Sequence, residues 1–167
     1  MSRKTTFRPD WSEVPPADGT YRAIFKYGDP YRFKHPSDNW YAMLKAEFGM
    51  TDADFRRKHA EGREPVALDR PSQLSAGQVD ALAAIVGTEN ISSDVFQRTR
   101  FAYGKTTEEM MELSRGTVRE IADLVVHPRG KEDVRSIVAF CHQETIPVYV
   151  FSGGSSVNLG LRPARGG

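Results

Sequence analysis

The sequence predicts an α+β protein in which a helical N-terminal region leads into a strand–helix–strand unit. Two observations support this fold class. Capped, amphipathic segments recur between residues 37 and 113, whereas β-branched and aromatic residues concentrate in two short runs, 124–126 and 147–151. A helical pattern separates these two runs. Strand, helix and strand in this order predict a parallel pair joined by a right-handed crossover.

The composition excludes several classes of protein. The chain has 167 residues, 27% charged and 39% hydrophobic, which is ordinary for a globular domain with its own core. A net charge of +1 argues against a nucleic-acid partner or an acidic membrane surface. No apolar run approaches the roughly 20 residues of a transmembrane helix, and the N-terminus lacks a secretory signal. With Cys141 as its single cysteine, the chain is expected to be cytoplasmic and free of internal disulfides and cysteine-rich zinc sites.

Residues 1–36 predict an extended arm. They are rich in proline, glycine and aromatic residues but sustain neither a helical nor a strand period. Disordered segments are poor in aromatic residues, so we expect this arm to lie on a surface of its own chain or of a partner. It is a candidate for homodimer contacts, in which aromatic residues are common.

The first helices are predicted from residue 37 onward. Ser37 is an N-cap candidate and Gly49 suits the C-terminal end of the same helix. A second, short helix is expected after Thr51, since Asp54 stands at a capping-box-like spacing from it. Three apolar residues at intervals of four predict one buried stripe on the first helix: Trp40, Leu44 and Phe48.

A segment rich in glycine and proline, residues 61–73, indicates a linker. It contains Gly62, Pro65 and Pro71. We therefore predict two regions, an N-terminal arm with a helical extension (1–71) and a C-terminal domain (72–167).

The C-terminal region opens with a well-marked helix. Ser75 and Gln78 have the spacing of a capping box, and Gly87 ends the pattern. Its apolar face is predicted to consist of Val79, Leu82, Ala83 and Val86. A mixed turn or short helix is expected within residues 90–100. Another short helix is expected over 107–113, where two glutamates in the first turn suit the helix dipole.

The strand–helix–strand unit ends in a run of small residues. The first strand (124–126) stops at His127-Pro128, and the second (147–151) is followed by a Gly/Ser loop. The intervening helix, 131–143, is expected to bury one face: Val134, Ile137, Val138 and Cys141. Successive small residues leave backbone N–H groups available to an anion such as a diphosphate. Ligands of parallel sheets also collect at the carboxyl ends of strands.

Two common phosphate-binding motifs do not fit this loop. A Gly-x-Gly-x-x-Gly motif starting at Gly153 would need glycine where Ser155 stands, and no lysine of a Walker-type loop follows Lys131. A nest of backbone N–H groups remains, with a flexible turn as an equal alternative on these residues alone. A generic nucleotide-binding α/β domain is a third, weaker alternative.

Three segments in order carry a resemblance to a known family. They read ADLVVHP (122–128), KEDV (131–134) and IPVYVFSGGSSV (146–157). This set resembles the start of the FAD-binding domain of the vanillyl-alcohol oxidase/p-cresol methylhydroxylase (PCMH-type) superfamily. It is most similar to FAD-linked oxidases of the alkyldihydroxyacetonephosphate-synthase and glycolate/D-lactate dehydrogenase type. The lead-in 78–94 fits as well, so the likeness covers about residues 72–167.

The resemblance implies FAD as cofactor and a small-molecule substrate that bears a hydroxyl or related group. It implies that one loop binds the FAD diphosphate: Phe151, Ser152, Gly153, Gly154, Ser155, Ser156 and Val157. Members of the superfamily are several times longer, and a second domain normally brings the catalytic base. The chain is therefore identified as the N-terminal part only, inactive alone. Its expected partner is the remainder of the polypeptide or a companion subunit. The alternative is a non-catalytic subunit or truncated fragment that acts as a binding or assembly module.

The loop departs from the family pattern at three positions. Val150 replaces a frequent proline, Ser152 a glycine and Ser155 a threonine. Because serine carries a Cβ, Ser152 fits its position only if the backbone φ there is below zero. The hydroxyl of Ser155 preserves the phosphate-binding role. Some members of the superfamily bind the flavin covalently through a histidine in this loop. The loop of this chain has no histidine, so the resemblance implies no covalent flavin bond from this segment.

No residue of the chain is predicted to be catalytic or to ligate a metal. His127 is more simply a structural histidine at a strand end. Cys141 and His142 are adjacent on a helix, where side chains point about 100° apart, so they cannot form a nucleophile pair. The four histidines lack metal-ligand spacing. Glu108-Glu109 is more simply a helix start than a catalytic pair.

Overall fold

The computed structural model describes residues 16–25, 38–56 and 62–163. Its helices are α1 (Tyr21–Phe25), α2 (Asp38–Phe48), α3 (Asp52–Arg56), α4 (Ala76–Val86), α5 (Val95–Arg100), α6 (Thr107–Ser114) and α7 (Lys131–Gln143), with a 3₁₀ turn at Thr88–Asn90. Two short strands, β1 (Ile91–Ser92) and β2 (Val125–Val126), pair in an antiparallel sheet. The predicted α+β class is confirmed. Most of the predicted arm, 1–36, and the cap residue Ser37 lie outside the described residues.

The predicted caps of α3 and α4 are confirmed. In α4 the Ser75 hydroxyl accepts from the Gln78 backbone N–H (3.3 Å), and the side-chain Oε1 of Gln78 accepts from the Ser75 backbone N–H (2.9 Å). Gly87 ends α4 with φ 92°, a backbone conformation that favours glycine. The backbone N–H of Thr51 donates to the Asp54 carboxylate (2.7 Å), which starts α3. These interactions join residues three apart, so the sequence specifies them without tertiary contacts.

A first core packs the N-terminal segments onto the middle of the chain. Its buried members are Tyr21, Ile24, Val66, Ala102, Tyr103, Leu113, Val118 and Ile121. The Val66 N–H donates to the Gly19 carbonyl (2.8 Å) and adds a backbone link between segments that lie far apart in sequence. This core draws on residues from both sides of position 71. The division into 1–71 and 72–167 stays a prediction.

A second core joins α4, α7 and the small sheet. Leu82, Val86, Ile137 and Cys141 are its buried members. Partly buried residues of both strands and of the segment after α7 pack against it, among them Ile91, Val126 and Ile146. The predicted face of α4 is thus confirmed at Leu82, Ala83 and Val86, which are buried, whereas Val79 is half-buried.

The predicted stripe of α7 is wrong at two positions. Ile137 and Cys141 are buried, but Val134 is 47% exposed and Val138 is 52% exposed. The second core therefore covers only part of the face of α7 that the four apolar residues predicted. The two valines remain as an apolar strip on the surface of the helix.

The predicted stripe of α2 is also wrong. Trp40 is 51% exposed and Phe48 is 71% exposed, whereas Tyr41 is buried. Tyr41 packs edge-on against Phe55 of α3, with ring centroids 5.1 Å apart. The neighbouring helix decides which face of α2 is buried, and a four-residue period cannot predict the position of that neighbour.

The second predicted strand, 147–151, is not a strand in the described part of the chain. β2 is only two residues long and pairs with β1, with Ile91 opposite Val126, so the predicted parallel pair does not form there. The His127 N–H extends this pairing by donating to the Asn90 carbonyl (2.8 Å). Val148 and Val150 are 49% and 83% exposed, so the run lies at the surface. Within the described ranges, no helix is long and apolar enough to cross a bilayer.

Candidate functional site

The Gly/Ser loop, defined here as residues 152–157, lies at the surface between the two cores. It belongs to no helix or strand, and only Gly154 within it is buried. Among the described residues, none accepts a hydrogen bond from any of the six backbone N–H groups of this loop. These amides are therefore available as donors, because no sheet ladder uses them, and the nest stays a prediction.

Gly154 determines the path of the loop. Its φ is +64°, and a Cβ there would lie 2.4 Å from Cζ of the Phe151 ring. The Phe151 ring in turn packs edge-on against Phe101 at 4.8 Å, and Phe101 packs against His127 at 5.3 Å. Phe101 thus connects the end of β2 to the start of the loop. His127 takes part in this aromatic contact, as expected for a structural histidine.

Ser152 fits its position without strain. Among the described residues other than glycine, only Thr145 and Leu159 have positive φ. The condition for a serine at position 152, a φ below the left-handed region, is therefore met. Its side chain and that of Ser155 are exposed and extend the donor set of the loop.

The far end of the loop is held by a turn that the sequence did not predict as part of the site. The Lys105 N–H donates to the Ser156 carbonyl (2.6 Å). The buried Glu109 carboxylate accepts from the backbone N–H of Gly104 (2.9 Å) and of Thr106 (3.0 Å). The one sequence feature that indicates this turn is the capping-box spacing of Thr106 and Glu109. It predicts the helix cap but not the contact of the turn with Ser156.

Beyond the loop, Arg162 binds α6. Its guanidinium donates to the Glu112 carboxylate (2.6 Å) and lies 3.5 Å from that of Glu108. Burial opposes the charge, but the Glu112, Tyr103 and Glu108 side chains outweigh this effect, so the pKa of Arg162 is raised. Sequence reasoning missed this pair because its two members are 50 positions apart.

Among the described residues, the single cysteine and its neighbouring histidine do not form a catalytic pair. Cys141 is buried in the second core, where burial raises the pKa of its thiol, and the adjacent His142 is exposed. Over the part of the chain that the structure describes, no group of three or more potential ligands could hold a metal ion. What this region offers chemically is anion binding by backbone amides and hydroxyls.

Comparison with known proteins agrees with this geometry. Residues 122–167 match a family described as FAD binding domain. The chain is 33% identical over 105 residues to Protein Rv2250A of Mycobacterium tuberculosis, which covers 62% of this chain and 67% of that protein. It is 25% identical over 100 residues to alkyldihydroxyacetonephosphate synthase of Dictyostelium discoideum, covering 60% of this chain and 16% of the synthase.

Two further similarities concern larger enzymes. Over 45 residues the chain is 42% identical to the mitochondrial D-lactate dehydrogenase [cytochrome] of Kluyveromyces lactis, which covers 27% of this chain and 8% of that enzyme. A solved alkyldihydroxyacetonephosphate synthase superposes with a TM-score of 0.56 at 23% identity, over 58% of this chain and 18% of the synthase. The chain therefore spans about two thirds of Rv2250A but less than a fifth of these enzymes.

The match over residues 122–167 and the similar enzymes define a FAD-binding domain of the flavin-dependent oxidoreductase class. The chain belongs to the same family as Protein Rv2250A, and its match to a FAD binding domain over residues 122–167 indicates FAD as the cofactor. The predictions of family, fold and cofactor are confirmed.

Proposed function

We propose that residues 151–157 bind the diphosphate of FAD in an oxidoreductase that acts on a hydroxyl-bearing or related small organic substrate. The observation that carries this proposal is the set of six loop N–H groups without an acceptor among the described residues. Phosphate oxygens are strong acceptors, and a run of amides on small residues suits them. The residues present fit a diphosphate, because the space beside Gly153 is open. A Cβ built at this position would meet no atom within 4 Å.

The roles of this chain follow from its donors. The amides of Gly153 and Gly154 would hold phosphate oxygens, and the Ser152 and Ser155 hydroxyls would add side-chain donors. When bound, FAD accepts a hydride or its equivalent from the substrate. The chain would orient the cofactor, and we assign the base to the remainder of the enzyme.

The remainder is either a continuation of the polypeptide or a companion chain. The matched parts make up only 16% and 8% of the two enzyme relatives, which supports a larger assembly. Protein Rv2250A supports a companion chain, because its 105 matched residues are 67% of its length and it is therefore a short protein. Both arrangements leave the FAD loop on this chain.

The test uses the full natural gene product, with any chain that copurifies. We expect flavin absorption bands after addition of FAD and gel filtration. Ser155→Asp should weaken FAD binding by at least tenfold, because a carboxylate repels the diphosphate. Ser93→Asp makes the same chemical change at an exposed residue before α5 and should bind FAD normally. A colourless protein that ignores added FAD contradicts the proposal, as does equal binding by the two variants.

A binding or assembly module is the second candidate function. The exposed Trp40 and Phe48 on α2 favour it, since large apolar side chains on a surface are typical of contact sites. This function requires a partner but no flavin. Copurification of a partner by a protein without FAD would support it, and flavin bands that depend on Ser155 would exclude it as the whole function.

A further inference from the structure

The turn at residues 104–106 and the Gly/Ser loop are in close contact. The Lys105 N–H donates to the Ser156 carbonyl at 2.6 Å. A Cβ at Gly104 would lie 2.6 Å from the same carbonyl oxygen and 3.2 Å from the Ser156 Cβ. Real Cβ atoms do not approach backbone oxygen this closely, so only glycine allows the loop to lie where it does.

The turn is itself fixed from inside the first core. Glu109 has 0% exposure, and its two carboxylate oxygens accept from the N–H groups on either side of Lys105, those of Gly104 and Thr106. The Lys105 ammonium donates to the Ile24 carbonyl of α1. The middle N–H of the turn is therefore left for Ser156, and its position does not depend on the loop.

A second attachment follows six residues later. Arg162 donates to Glu112 at 2.6 Å and lies over the Tyr103 ring at 5.8 Å. Between the two attachments, the Asn158 side-chain oxygen accepts from the Ser156 hydroxyl (2.7 Å) and from the Gly160 N–H (3.1 Å). Residues 156–162 thus form a compact turn bound at both ends to α6 and the turn before it.

We propose that Gly104, Lys105 and the Glu112–Arg162 pair are positioning elements for the flavin loop. They hold its C-terminal end against the first core, so that the loop amides are already arranged when the diphosphate arrives. Preorganisation raises affinity because less chain must be ordered on binding. This inference rests on the proposed function for its flavin role, but the attachment itself can be measured without FAD.

The test combines amide hydrogen exchange with FAD titration of the full chain in its natural assembly. Gly104→Ala should speed exchange of the Lys105 amide and of residues 152–162 by at least tenfold, and raise the dissociation constant for FAD by at least tenfold. Gly77→Ala is the matched control, because a Cβ at this α4 position meets nothing within 4 Å. It should change neither quantity. Amides of α7, in the second core, serve as the internal reference.

Variants of Arg162 test the same attachment from its other end. They keep the proposal testable even where Gly104→Ala fails to fold. Arg162→Gln should loosen residues 156–162 and weaken FAD binding, and Arg162→Lys should restore part of both because it keeps the charge opposite Glu112. Unchanged exchange at Lys105 in Gly104→Ala, or faster loop exchange with unchanged FAD affinity, overturns the proposal. A wild-type protein that does not bind FAD overturns the proposed function instead, while the exchange rates still decide whether the attachment exists.

Discussion

The two adjacent glycines of the loop should respond very differently to the same substitution. Gly154 has a φ of +64°, and a Cβ at this position would lie 2.4 Å from the Phe151 ring. At Gly153 the backbone φ is not in the left-handed region, and a Cβ would meet nothing within 4 Å. A left-handed backbone costs a residue with a Cβ about 1–2 kcal/mol. Overpacking adds about 1–3 kcal/mol. We therefore expect Gly154→Ala to destabilise the fold by about 2–5 kcal/mol.

Gly153→Ala should instead stabilise the fold by about 0.4–1 kcal/mol, because alanine restricts the unfolded chain. Urea unfolding of the full chain, analysed by linear extrapolation, measures both changes. The packing part is isolated by repeating Gly154→Ala in a Phe151→Ala background, where only the backbone cost of about 1–2 kcal/mol should remain. Equal effects of the two glycine substitutions, or the same Gly154→Ala cost with and without the ring, would refute the loop geometry.

Three further changes test other parts of the fold. Arg98→Ala should cost about 3–5 kcal/mol in urea unfolding, because it leaves the largely buried Asp123 carboxylate, 3.7 Å from the Arg98 guanidinium, without its cation and removes the donor to the Ala122 carbonyl; a loss below about 1 kcal/mol contradicts this. Burial lowers the pKa of Lys105 from 10.5 to about 8 in the folded protein, so the unfolded chain binds more protons between these values. The free energy of unfolding of the wild type should therefore rise relative to that of Lys105→Met as the pH increases from about 8 to 10.5. A stability difference between the two proteins that does not change with pH would argue against this. Hydrogen bonding to Arg129 lowers the pKa of Asp133 from 3.8 to about 2. The advantage of wild type over Asp133→Asn should be complete above pH 3.8 and disappear as the pH falls through about 2, whereas a pH-independent difference in urea midpoint would exclude this pair as the cause.

Features encoded within a few residues could be predicted from the sequence. The Ser75/Gln78 cap and the Gly87 terminus are as expected, since their partners lie three or four positions away. The Gly/Ser loop was likewise visible, because a change from β-branched to small residues is a local pattern. That local pattern also supported the family resemblance.

Features that depend on distant segments could not be predicted. Tyr41 is buried instead of Trp40 because α3 lies on that side of α2. The attachment of Ser156 to Lys105 joins positions far apart in sequence, and no period or motif indicates it. The predicted strand at 147–151 assumed that β-branched residues find a ladder partner, but strand propensity mainly reflects packing against neighbouring strands.

The Gly/Ser loop lies on one of the segments that join the two cores. The chain leaves the second core at Ile146, whose N–H donates to the Cys141 carbonyl at 2.8 Å, and reaches the first core at Ser156. A ligand that stiffens these ten or so residues therefore adds a brace between the two cores. Occupancy of the loop is expected to couple the unfolding of the two cores more tightly, so that cofactor retention and the cooperativity of melting rise together.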